Sequence, residues 1–449
     1  MKRFLISTSV LLLAGGQLTA QAGSVAYDTF SLDNGLKVVY SIDHSTPVIS
    51  VDIWYHVGAR NERPGRGGFA HLFEHMMFQG SAHVKKGEHF QLIERAGGTE
   101  NGSTGDDRTN YYETLPSNRL NLALWLEADR MRSLAITQTN FENQRETVKE
   151  ERRLRIDNQP YIGAFLDGLA MAFDSAGCFA YAHPGIGSME DLNAAKLEDV
   201  QAFFDTYYIV NNATLVVVGD FDPADLKTLT QQYFGGIARK PEPPPSSCDS
   251  RLSPGVIRRE VEDHLANLPA VLRLYRIPRH RDADTRALTL LNIIVGQGES
   301  SRLNESVVRR DKAALVTQVF ATEDRNGPGV LVALAIANQG VPVGHLDSLL
   351  VTQIDSVIRF GVTAAELAKA KNVFRAQFIS GRETTLNKAE ALQHYGLFHD
   401  SMAEINSDLE AVLAVTVDDI RRAAAKFLDQ ANAVVIIVKP AAAPQGGGQ

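Results

Sequence analysis

The stretch "DVQAFFDTYYIVNNATLVVV", Asp199–Val218, returns later in the chain as "DIRRAAAKFLDQANAVVIIV", Asp419–Val438. The two align without a gap, setting Tyr207 on Phe427, Asn212 on Asn432 and Ala213 on Ala433. Each reads as a helix by its apolar spacing, then a short turn carrying Asn, then a buried strand. Chance matches a few apolar positions. A shared helix register together with a shared Asn-Ala turn points to duplication.

Between the copies lies "RKPEPPPSSCDSRLSPG", Arg239–Gly255. Its Pro and Ser content marks an extended, solvated linker. The chain is therefore expected to hold two homologous α+β domains, residues 23–238 and 256–440, joined by a linker at 239–255 and followed by a flexible tail at 441–449. Each domain would be a mainly antiparallel sheet packed with helices. A length of 449 residues agrees with this, being too long for one core. Tyr27–Tyr40 alternates around Asp33-Asn34-Gly35 and predicts a hairpin. Val48–Val57 predicts a strand. Asn118–Met131, Thr139–Arg155 and Leu197–Tyr208 predict helices, and Thr363 with Glu366 forms a capping-box pattern.

The first residues, "MKRFLISTSVLLLAGGQLTAQAG", read as a signal peptide over residues 1–22. Lys2 and Arg3 are basic, Phe4–Ala14 is a short apolar run, and Ala20-Gln21-Ala22 fits a cleavage site. Export to a bacterial periplasm is the expectation. No later run is long and apolar enough to predict a membrane span. A net charge of −8 gives nucleic acid no attraction. Cys178 and Cys248 are too few for a metal framework. Export permits a disulfide between them, but the sequence does not show that they meet, and any bridge reads as incidental.

Chemistry concentrates in "GGFAHLFEHMMFQG", Gly67–Gly80. Residues four apart share a helix face, so His71 and His75 can grip one ion. Glu74 stands on the same side. Imidazole suits zinc, and a catalytic zinc keeps a position open for water. A neighbouring carboxylate can then take the proton of that water. Two histidines one turn apart are also common on ordinary helix surfaces. The interposed Glu74 and the apolar setting of Phe69, Leu72, Phe73, Met76, Met77 and Phe78 favour a ligand pair, because polar groups on such a helix must be satisfied. Spacing leaves the third ligand open among Glu113, Glu127, Glu146, Glu150 and Glu151.

The order His-x-x-Glu-His, with "DNGLKVVY", "GGTENGSTGDDRTNYYETLP", "NQRETVKEERRLRIDNQPY" and "HPGIGSMEDL" in sequence, resembles the pitrilysin (insulinase) family of zinc metallopeptidases. The resemblance spans nearly the whole mature chain and is closest in kind to two-domain bacterial members similar to mitochondrial processing peptidases. It implies a zinc-dependent endopeptidase with one Zn2+ per chain, acting on peptides or unfolded segments inside a dimeric chamber. It selects Glu151 as third ligand, with Glu150 as fallback, and Glu74 as general base. It places Gln144 where the family often has an acidic residue supporting a ligand; an amide there supplies hydrogen bonds without charge. It assigns Asn101, in "NGST", to a strand that pairs with substrate.

In the second domain the place of the metal helix is read as "GQGESSRLNESVVRRDKAALV". Self-sufficient members carry there an arginine and, seven residues on, a tyrosine that bind the substrate backbone. Arg309 matches the arginine; the tyrosine position is Val316, which has no hydroxyl to donate. This resembles the zinc-bearing chain of a two-subunit enzyme whose partner is a related chain without zinc. A homodimer is the alternative, and a non-catalytic structural or peptide-binding subunit is the rival reading of function.

Overall fold

Gly35 takes a left-handed φ of 94° and turns the chain between β1 (Asp28–Ser31) and β2 (Lys37–Ile42). This is the expected hairpin. The computed structural model describes residues 23–173, 177–248, 255–322 and 325–441. The expected signal peptide, part of the linker and residues 442–449 lie outside them. β3 (Val48–Tyr55), β4 (Thr99–Thr104), β5 (Thr109–Pro116) and β6 (Ala213–Gly219) complete a six-stranded sheet of order β1-β2-β6-β3-β5-β4.

A second sheet holds β7 (Ile257–Asp263), β8 (Ala270–Ile277), β9 (Ala314–Ala321), β10 (Gly329–Ala337) and β11 (Val434–Pro440), in the order β7-β11-β8-β10-β9. Without β1 the two orders correspond strand for strand. The repeated segments occupy equivalent places: helix Leu197–Tyr207, a short turn, then β6, against helix Val417–Phe427, a short turn, then β11. β6 runs parallel to β2 and antiparallel to β3; β11 runs parallel to β7 and antiparallel to β8. The fold is α+β, mainly antiparallel, with two sheets each packed with helices.

The repeated strands carry unbroken apolar runs, Leu215–Val218 and Val434–Val438, because both their faces are covered there. Leu215 and Val217 enter one core, whereas Val216 and Val218 enter another with Val25, Val39, Ala389 and Leu392. The covering helix, Thr385–Phe398, belongs to the second half and lies on β3 and β6 of the first. Its buried Gln393 donates to the carbonyls of Asp52 (3.0 Å) and Thr214 (2.9 Å). The exchange is reciprocal: helix Ile162–Ala172, from before the linker, covers β8 and β11. Packing therefore crosses the linker in both directions.

Cys178 and Cys248 meet in a disulfide with Cα atoms 4.0 Å apart. It fastens the linker beside the core under the second sheet. Thr363 and Glu366 form the expected capping box. The helix predicted for Thr139–Arg155 runs over Gln138–Arg152 and loosens into a wider turn to Asp157. Topology also corrects the equivalent of the metal helix. Helix Thr285–Gly296, between β8 and β9, stands in that place; the stretch from Gly296 to Val316 follows it and runs into β9.

Candidate active site

Phe69–Met76 forms an eight-residue helix. Phe69, Leu72, Phe73 and Met76 are buried, and Phe73 lies 4.3 Å from Tyr208 and 5.6 Å from Phe204 between ring centroids. That packing fixes the register and turns His71, Glu74 and His75 to a partly exposed side. The first turn is held by Glu62. Its carboxylate accepts from the Gly68 and Ala70 amides (both 2.8 Å), satisfying donors left free at a helix start, and pairs with His183 Nε2 (2.9 Å). Burial raises the pKa of Glu62. Burial opposes charge on His183 as well, but the hydrogen bond and charge of Glu62 and the Phe179 carbonyl together outweigh it and raise that pKa. Gly68 sits at φ 88°, and a Cβ there would meet the Ile186 carbonyl at 2.7 Å.

One oxygen of Glu151, Oε2, stands 3.6 Å from His71 Nε2 and 3.3 Å from His75 Nε2. Two ligands on a tetrahedral zinc are separated by about 3.3 Å, so the three donors fit one ion. The other Glu151 oxygen pairs with Arg155 (3.0 Å). Glu74 groups with both histidines, their ligand atoms within 4.8 Å of one another. Thr104 Oγ1 donates to Glu74 Oε2 at 2.6 Å. Burial raises the Glu74 pKa against that hydrogen bond. Burial, with His75 beside it, pushes His71 down to about 4, keeping its imidazole neutral as a metal ligand must be.

The other glutamates are engaged elsewhere. Glu113 and Glu127 are buried around Arg130. Glu146 pairs with Lys149, and Glu150 points out to Arg153. Gln144 is buried, but its amide donates to Asn143 (2.8 Å), and His71 Nδ1 has no hydrogen-bond partner among the described residues. Asn101 is exposed on β4, the edge strand of its sheet, and accepts from the Gly102 amide (2.9 Å). Arg309 is exposed and held by Glu299 (2.5 Å) and Glu305 (3.3 Å). Val316 lies on β9, the edge of the second sheet. The structure thus brings together His71, Glu74, His75 and Glu151, and no contact joins Arg309 to them among the described residues. Sequence reading missed Thr104, Glu62 and His183. The strand end that brings Thr104 to Glu74 and the pairing of Glu62 with a distant histidine leave no periodic signal.

Residues 37–162 match the family model described as "Insulinase (Peptidase family M16)", and residues 194–374 match "Peptidase M16 inactive domain". The chain is 31% identical to the zinc protease PqqE of Helicobacter pylori over 98% of its own length and 99% of that protein. It is 22% identical to the mitochondrial-processing peptidase subunit beta of Blastocladiella emersonii, covering 91% and 88% of the two chains. The crystal structure of a protease from Helicobacter pylori superposes with a TM-score of 0.87 at 28% identity, covering 93% of this chain and all of that one.

Proposed function

This chain belongs to the insulinase family, peptidase family M16, and we propose that it is a zinc-dependent endopeptidase acting on extended peptides or unfolded segments. The observation that carries the proposal is the convergence of His71, His75 and Glu151, with Glu74 beside them. His71, His75 and Glu151 would hold the ion. When bound, zinc supplies a Lewis acid for the scissile carbonyl and a water of lowered pKa. The chain supplies the rest. Glu74, partly dehydrated and anchored by Thr104, accepts the water's proton and delivers it to the leaving amine. The open edge of β4 at Asn101–Thr104 offers backbone groups to an extended peptide, which binds with little reading of side chains.

Val316 in place of the family tyrosine leaves the second half one hydrogen-bond donor short. One such donor contributes about 10²–10³-fold in rate. With the likeness to a subunit named beta, this supports a two-chain enzyme in which a related chain without zinc supplies the donor, a homodimer being the other arrangement. The same departure is what favours a non-catalytic subunit. The residues before Gly23 support export to the periplasm.

The test is cleavage of a quenched unstructured peptide by the purified chain, with and without a chelator. Chelator-sensitive turnover supports the peptidase. A zinc-loaded chain that stays inert alone, and also with each related zinc-less chain of the same organism, would replace it with the non-catalytic reading.

A further inference from the structure

Away from that site, three histidines of the second half turn their Nε2 atoms to one point. His280 lies in the loop after β8; His394 is on helix Thr385–Phe398, and His399 closes the end of that helix. His280 Nε2 is 3.0 Å from His399 Nε2 and 3.3 Å from His394 Nε2, and the three lie within 4.8 Å of one another. Ligands on a tetrahedral zinc stand about 3.3 Å apart, the spacing also found between His75 and Glu151.

The surroundings fix the chemistry further. Glu404 Oε2 lies 3.2 Å from His399 Nδ1. A carboxylate accepts, so Nδ1 donates, and in the neutral imidazole this leaves the Nε2 lone pair facing the centre. A carboxylate behind an imidazole is the usual device for setting the tautomer of a metal-ligating histidine. Arg286 in turn holds Glu404 (3.2 Å) and Asp408 (2.8 Å). The cluster opens on a cavity of about 710 Å³, which gives an ion a way in and leaves room for a fourth ligand.

We propose that His280, His394 and His399 form a second metal site, for a divalent transition-metal ion of the zinc type, independent of the peptidase reading. Three neutral imidazoles with an open position suit zinc, and also copper(II) or nickel(II), and not calcium or magnesium. The site ties the loop leaving the second sheet to the helix that covers the first. Its occupancy would clamp the crossing between the halves.

The experiment is zinc stoichiometry on the full mature chain, by dialysis against micromolar zinc and elemental analysis. Wild type should hold two zinc ions. The His71→Ala/His75→Ala chain should keep one, and His394→Ala/His399→Ala should also keep one. Cobalt(II) in the His71→Ala/His75→Ala chain should give the visible bands of a four-coordinate ion, and zinc should raise its Tm. A His71→Ala/His75→Ala chain that is folded by circular dichroism yet binds no zinc overturns the proposal. That chain leaves the second site untouched and decides the question even if the other variant fails to fold.

Discussion

A carboxylate serves as a base when it is partly dehydrated, fixed in place and close to the proton it must take. Glu74 meets these conditions through burial, Thr104 and the neighbouring histidines. In Glu74→Gln the amide oxygen can still accept from Thr104, but the proton acceptor is gone. Turnover should fall about 10²–10⁴-fold with zinc content unchanged by elemental analysis. Parallel loss of zinc and turnover would make Glu74 a ligand instead. His71, Glu74 and His75 are legible in the sequence because helical periodicity converts spacing directly into geometry. Glu151 is not legible from spacing, since it arrives on a different helix; spacing leaves five glutamates equal, the family resemblance singles out Glu151, and packing turns Glu151 inward and Glu150 outward. At Gln144 the amide nitrogen donates to the neighbouring Asn143, a contact that positional analogy does not foretell.

At the scale of elements, strands and helices follow local pattern, while their anchors do not. Helix Phe69–Met76 is short, so its first turn depends on Glu62. Glu62→Ala would strand two buried amides and remove the partner of His183. Each buried donor left unsatisfied costs about 1–3 kcal/mol, so a loss of about 3 kcal/mol in denaturant unfolding is expected, with weaker zinc binding. A change below about 0.5 kcal/mol, the scale of ordinary surface substitutions, would show that the cap is not needed. The repeated helix–turn–strand unit is legible because alternate residues of β6 and β11 must all be apolar when two cores meet across one strand. Which helix covers each second face is not legible. An apolar stripe says that a surface is buried and does not name its partner, so the exchange of Ile162–Ala172 and Thr385–Phe398 appears only in three dimensions. The meeting of Cys178 and Cys248 escapes the sequence for the same reason.

For the whole molecule, the crossing helices make the two halves one folding unit. Lys388 of the second half pairs with Asp43 of the first. The Lys388 hydrogen bond holds the Asp43 carboxyl down to about 2, from an ordinary 3.8. A depressed acid stabilises the fold above its ordinary pKa and loses that contribution as pH falls through the folded value. Tm should therefore drop between about pH 4 and pH 2 more steeply in wild type than in Lys388→Met; identical slopes would remove the pair from the account. The exchange predicts a larger effect when the chain is divided in the linker. Residues 23–238 alone would expose Val25, Val39, Val216 and Val218 and lose the cover of Leu392. Four such side chains at about 1.5–3 kcal/mol each amount to on the order of 10 kcal/mol, comparable to the 5–15 kcal/mol stability of a typical domain. The first half made alone should be insoluble or lack cooperative unfolding, although it carries His71, Glu74, His75 and Glu151. Co-expression with residues 256–449 should restore both solubility and zinc binding. A first half that folds cooperatively alone and holds zinc as tightly as the full chain would mean that the helix from the second half contributes little, despite the burial and the two hydrogen bonds of Gln393.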